Sequence, residues 1–159
     1  MPLTEIMNVE TLQKLLEPVT RGVSSQAVDS DLEKELNSRF PPGGEVFEGI
    51  QAACQEAIAD GWMCSQGGAG RRFGRVIEPT AMSKNLSVDV VELENIVGPH
   101  HRHPNGEICM IMPETEGARF DGRGRGWCVF EPGSDHRPTV TDGKAVVLYM
   151  LPGGEIEFT

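Results

Sequence analysis

His101-Arg102-His103-Pro104-Asn105-Gly106-Glu107 sets three metal-ligating side chains at positions of one parity. Successive side chains on a β-strand point to opposite faces, so His101 and His103 share a face. Pro104-Asn105-Gly106 reads as a turn that lets Glu107 begin the next strand on that same side. Further along, Pro132-Gly133-Ser134-Asp135-His136 presents another histidine from a second strand and turn. Three imidazoles and one carboxylate from His101, His103, Glu107 and His136 suit Fe(II), Mn(II), Ni(II), Cu(II) or Zn(II). His100 has the opposite parity and is expected at the surface or behind the ligands. The pattern points to a catalytic pocket inside a small β-barrel.

The surrounding sequence agrees with that reading. Arg72–Ile77, Leu86–Val97, Ile108–Met112, Gly126–Phe130, Arg137–Thr141, Ala145–Leu151 and Glu155–Phe158 read as short strands. Asp121-Gly122, Pro132-Gly133, Asp142-Gly143 and Pro152-Gly153-Gly154 read as the turns between them. The expectation is a mainly β chain with one jelly-roll barrel over residues 62–159. Residues 1–61 carry helical patterns instead and form an N-terminal extension. Val9, Leu12, Leu15, Leu16 and Val19 recur near a 3.6 period behind the N-cap candidate Asn8. Ser30-Asp31 is a candidate cap for a second helix with Leu32, Leu36 and Phe40 on one face, stopped by Pro41-Pro42-Gly43-Gly44. A third helix, Glu45–Asp60, ends at Gly61. These helices are expected to cover the barrel or to build a dimer contact.

Composition narrows the partners. Fourteen basic against 24 acidic residues give a formal net charge of −10, which disfavours nucleic acid and anionic membranes. No apolar run approaches the ~20 residues of a membrane-spanning helix. Met1-Pro2-Leu3-Thr4-Glu5 lacks the basic and apolar stretches of a leader, so a cytoplasmic location is expected. Cys54, Cys64, Cys109 and Cys128 have no CxxC spacing and mostly apolar neighbours, as reduced core thiols would.

Gly98-Pro99-His100-His101-Arg102-His103-Pro104-Asn105-Gly106-Glu107, with Gly117 trailing, resembles the first motif of the cupin superfamily, and Gly126 to His136 resembles the second. Glu131 stands where the second motif usually has proline. A closer resemblance runs through Arg72-Phe73-Gly74-Arg75-Val76, the histidine segment, Arg119-Phe120-Asp121-Gly122, Pro132–His136 and Leu148–Gly154. Together these are similar to the small cupin family of 4-hydroxylaminobenzoate lyases. That resemblance implies conversion of 4-hydroxylaminobenzoate to 3,4-dihydroxybenzoate (protocatechuate) and ammonia, in nitroaromatic degradation.

Such a reaction sets requirements that particular residues can meet. A divalent metal would polarise the hydroxylamine oxygen. Glu107 is either a ligand or a proton shuttle, and burial in an apolar barrel is expected to raise its pKa. His136 is the alternative partner in an acid–base pair, and Tyr149, the sole tyrosine, is a candidate hydrogen-bond donor to the substrate. A small aromatic carboxylate calls for an arginine. Arg75 is favoured, then Arg72, then Arg102; Arg72 and Arg75 have opposite parity, so at most one faces inward. Phe73, Trp127, Phe130 and Tyr149 are candidate walls for the ring. Two other classes fit the same ligand set: an Fe(II) dioxygenase acting on an aromatic acid, and a non-enzymatic small-molecule-binding barrel. A homodimer is expected in either enzymatic case.

Overall fold

The computed structural model describes residues 7–159, so the leader reading at Met1–Glu5 lies outside the described residues. Three helices come first: α1 (Val9–Val23), α2 (Ser30–Arg39) and α3 (Glu45–Asp60). Asn8 caps α1 by accepting the Thr11 N–H at 2.9 Å. The cap of α2 is Asp29, one residue before the expected pair, and it accepts the Leu32 N–H at 3.1 Å. Gly61 closes α3 in the left-handed conformation, φ 88°. No helix among the described residues is long and apolar enough to cross a membrane.

Ten strands follow: β1 (Gln66–Gly68), β2 (Arg71–Ile77), β3 (Leu86–Val97), β4 (His101–His103), β5 (Glu107–Pro113), β6 (Arg119–Phe120), β7 (Gly126–Phe130), β8 (Ser134–His136), β9 (Thr139–Pro152) and β10 (Glu157–Phe158). They form two antiparallel sheets. The larger runs β1-β2-β3-β9-β5-β7 with β6 paired to β9, and the smaller runs β10-β4-β8. The mainly β, barrel-like architecture is the one expected from the sequence; its division into two sheets is seen in the structure.

The larger sheet is buried on both faces, which explains why β5 is apolar almost throughout. Val88, Val90, Ile108, Met110, Trp127, Val146, Leu148 and Met150 pack against Leu12, Leu16, Leu36, Phe47 and Ile50 of the helices. The alternate residues Val91, Leu93, Cys109, Ile111, Cys128, Phe130, Val147 and Tyr149 form a second cluster on the other face, inside the barrel. The helices therefore complete a core that they share with the strands.

Two sequence readings are corrected here. Asp142-Gly143 does not separate two strands; β9 runs through it. The pairing with β3 slips between Glu94 and Ile96, where Asn95 (φ 42°), Asp142 (φ 61°) and Gly143 (φ 129°) form a bulge. Asn95 Oδ1 accepts the Gly143 N–H at 3.0 Å, and a Cβ on Gly143 would lie 2.4 Å from Thr115. The bulge keeps β3 and β9 paired out to Val97 and Thr139.

Trp127 is the second correction. It belongs to the helix-facing set, because Cys128 and Phe130 take the inward parity of β7. Its indole N–H donates to the Phe40 carbonyl at 2.8 Å, and its ring meets Phe47 edge-on at 6.1 Å. Trp127→Phe removes that donor from a buried carbonyl and is expected to cost about 1–3 kcal/mol in urea unfolding. A cost within ~0.5 kcal/mol would contradict its structural role.

Candidate metal centre

The smaller sheet brings the ligands together by register. In the antiparallel β4–β8 pair, His136 lies directly opposite His101, and Ser134 directly opposite His103. Opposed residues share a face, so both histidines of β4 and the one of β8 project toward the larger sheet. The turn after β4 then delivers Glu107 at the start of β5. It depends on Gly106 (φ 88°), where a Cβ would sit 2.6 Å from Val28 and 2.9 Å from the Phe130 carbonyl.

The four groups converge with their ligating atoms all within 4.8 Å of one another. Glu107 Oε2 is 2.8 Å from His103 Nε2 and 3.4 Å from His101 Nε2. Glu107 Oε1 is 3.8 Å from His136 Nε2, which in turn is 3.1 Å from His101 Nε2. His101, His103 and Glu107 are at most 5 % exposed. Despite this proximity, His103 Nε2 and Glu107 Oε2 have no hydrogen-bond partner of acceptable geometry. Buried polar atoms that converge without bonding one another suit a shared cation, and the three-imidazole, one-carboxylate set fits a divalent transition metal.

The far side of two rings is fixed by further contacts. His136 Nδ1 meets Asp121 Oδ2 at 2.5 Å, and Asp121 Oδ1 accepts the Thr139 N–H at 2.9 Å. His103 Nδ1 meets Ser134 Oγ at 3.0 Å. Each contact turns Nε2 toward the centre, as carboxylate–histidine pairs do in metal sites. Phe130 packs on His136 and His103, with centroids 4.4 and 5.5 Å away. His100 lies outside the cluster, as its parity required, with Nε2 2.9 Å from Asp135.

Glu107 behaves differently from the sequence expectation of a raised pKa. Burial pushes its carboxyl up, but the imidazoles of His101 and His103 and the Cys109 thiol outweigh it and hold it at about 2. Cys109 Sγ donates to Glu107 Oε1 at 2.9 Å; burial and nearby Cys128 and Glu107 push that thiol well above its ordinary range, so it keeps its proton. Glu107 is thus an ionised acceptor at neutral pH, suited to ligation and unsuited to acting as a general acid. Tyr149 is the reverse case. Burial, together with the charges of Asp89 and Glu107, raises its pKa well above normal, so the phenol stays protonated.

An apolar cavity of about 80 Å³ opens beside the ligands, lined by Arg71, Phe73, Val91, Leu93, Gly98, Pro99, His101, Glu107, Phe120, Pro138, Val147, Tyr149 and Phe158. One water needs only ~10–15 Å³ on this scale, so the space suits a small ring. The cavity thus gathers Phe73, Tyr149, His101 and Glu107 from the sequence-predicted set. Trp127 is on the opposite face of the sheet. Arg75 shares Phe73's parity but is tied to Asp89 at 3.1 Å and to the Gly154 carbonyl at 3.0 Å. Arg72 points to the other face and pairs with Glu92. Arg102 pairs with Glu157 at 3.2 Å. Sequence reasoning missed Arg71, although its parity with Phe73 was a usable signal. It also missed Asp121, which reads in sequence only as the first residue of a turn.

A family profile described as "PnbB: 4-hydroxylaminobenzoate lyase" matches residues 14–158. A 4-hydroxylaminobenzoate lyase of Nocardioides sp. (strain LMS-CY) is 31% identical over 150 residues, 89% of this chain and 89% of that protein. One of Pseudomonas putida is 31% identical over 153 residues, 86% of this chain and 87% of that protein. Among solved structures, an RmlC-like cupin protein of Ralstonia eutropha JMP134 aligns with a TM-score of 0.43 and 12% identity, over 57% of this chain and 60% of that one.

Two measurements follow from the geometry. Asp121→Ala is expected to lower divalent-metal affinity ~10–100-fold in a chelator competition titration; unchanged affinity would remove Asp121 from the site. The second concerns acid stability. Glu107 titrates near 2 when folded against an ordinary 4.5, so its stabilisation is present above pH 4.5 and fades as pH falls toward 2. In metal-free urea unfolding, Glu107→Gln is therefore expected to lose less stability between pH 5 and 3 than the wild type does. Parallel losses would contradict the depressed value.

Proposed function

The chain belongs to the 4-hydroxylaminobenzoate lyase family, and on that premise we propose that it converts 4-hydroxylaminobenzoate to 3,4-dihydroxybenzoate and ammonia, within nitroaromatic (4-nitrobenzoate) breakdown. The observation that carries this reading is a largely buried His101–His103–Glu107–His136 cluster opening onto a small apolar cavity that also holds Tyr149.

The net reaction adds water and expels ammonia, with no external oxidant: the N–O bond is reduced while a ring carbon is oxidised. A divalent cation held by His101, His103, Glu107 and His136 would supply Lewis acidity toward the hydroxylamino oxygen. Fe(II), Mn(II), Ni(II) and Zn(II) are all compatible with the donor set. Tyr149, whose hydroxyl makes no hydrogen bond among the described residues, keeps its proton and donates a hydrogen bond to the departing oxygen. Glu107 stays ionised and, as the anionic donor of the set, would offset part of the charge of a bound cation. His136, its Nδ1 held by Asp121, is the ligand with the most solvent access, its side chain 12% exposed, and only in a pocket without a cation would its Nε2 be free to accept a proton from attacking water. Phe73, Val91, Leu93 and Val147 hold the ring and limit water. In this reading the enzyme is a cytosolic homodimer, and the exposed apolar side chains Val97 and Phe158 are available for the contact. Light scattering on purified protein is expected to give twice the monomer mass.

The decisive experiment is anaerobic incubation of metal-quantified protein with 4-hydroxylaminobenzoate. Stoichiometric ammonia and 3,4-dihydroxybenzoate without O₂ are expected. His101→Ala is expected to lose bound metal and turnover together. Absence of product with metal fully loaded, and oxygen uptake with aromatic acids instead, would replace the lyase by a dioxygenase.

A further inference from the structure

Among the described residues, the cavity beside the ligand cluster has one arginine and no lysine in its wall, Arg71. The guanidinium groups nearby are already committed: Arg75 to Asp89, Arg72 to Glu92 and Arg102 to Glu157. Arg71 has neither an ion pair nor a side-chain hydrogen bond among the described residues. Its guanidinium instead lies over the face of Phe73, 4.5 Å from the ring centre. That contact orients the planar fork without using its donors, which leaves them free for a ligand.

The chain as a whole is strongly acidic, with a net charge of −10. A free guanidinium at an apolar wall is therefore a local exception to a field that repels anions. It shares a cavity with His101, Glu107 and Tyr149, so a molecule that reaches the ligand cluster also meets this cation. An aromatic acid carries both features this cavity is built for: a flat apolar ring and a carboxylate matching the bidentate arginine fork.

We propose that Arg71, positioned by Phe73, is the specificity residue that selects a carboxylate on the aromatic substrate. The assignment rests on the substrate class of the proposed function. It also accounts for why neither arginine favoured from the sequence is available: both are neutralised by acids on the neighbouring strand β3, Asp89 and Glu92.

The test compares wild type, Arg71→Ala, Arg71→Lys and Arg72→Ala. Turnover of 4-hydroxylaminobenzoate gives KM and kcat separately, and calorimetry gives Kd for the unreactive pair 4-hydroxybenzoate and 4-hydroxybenzamide. Arg71→Ala is expected to raise KM and the 4-hydroxybenzoate Kd ~10–100-fold, the range for a lost charge-assisted pair. The 4-hydroxybenzamide Kd and kcat should move little, Arg71→Lys should recover part of the loss, and Arg72→Ala should match wild type. If Arg71→Ala keeps the wild-type preference for carboxylate over amide, or Arg72→Ala loses it equally, the assignment is overturned. Where that happens with wild-type ammonia release intact, the lyase reading stands without Arg71. Carboxylate preference that depends on Arg71 in a protein releasing no ammonia would keep the assignment and remove the lyase.

Discussion

Burying the Glu107 carboxylate is the constraint on which the rest of the molecule depends. An ionised carboxylate withdrawn from water costs several kcal/mol unless positive or donor groups surround it. Here the compensation comes from several elements at once. His101 and His103 arrive from β4, His136 from β8, and the Cys109 thiol from two residues further along β5. Those elements must keep their register for the site to exist, because a slip of one residue would turn the imidazoles to the other face. Gly106 is bound into the same requirement: the tight approach of Val28 and the Phe130 carbonyl leaves no room for a side chain where β4 turns into β5.

The larger sheet solves a second problem with the same alternation. One set of side chains joins the helices in a conventional apolar core, while the other set builds the chemistry-bearing interior. The two faces have opposite demands. The helix face needs volume and close packing, which Trp127, Phe47 and Phe40 supply. The inner face needs a gap, and it gets one where Val91, Leu93 and Val147 line a cavity beside Glu107 and Tyr149. Stability and function are thus separated by strand parity, so helix-face substitutions should change folding with little effect on ligand selection.

The ligand set was legible in the sequence because its geometry is local. His101, His103 and Glu107 fall within seven residues, and strand periodicity plus one turn is enough to place them. The helices were legible for the same reason, apart from a one-residue shift in the cap of α2. Arginine roles were less accessible. Arg72 and Arg75 both looked available in sequence, and what removes them is Asp89 and Glu92 across the β2–β3 pairing. The pKa of Glu107 was misjudged for a different reason: its neighbours His101 and His103 were in view, but how closely they and the Cys109 thiol approach the carboxylate is set only when the strands pair.

The sequence by itself determined the alternating strands, the capped helices, the four side chains able to hold a metal and the family to which the chain belongs. These rest on backbone periodicity and on chemistry carried within short stretches of chain. Only the tertiary structure decided which face each strand residue serves. It set Trp127 among the helices, let β9 run unbroken through the Asp142-Gly143 bulge, placed Asp121 behind His136 and left Arg71 unpaired in the cavity wall. The physical reason is that partners far apart in the chain settle whether a charge is neutralised, a ring is buried or a turn residue is absorbed into a strand, and those partners meet only when the sheets pair.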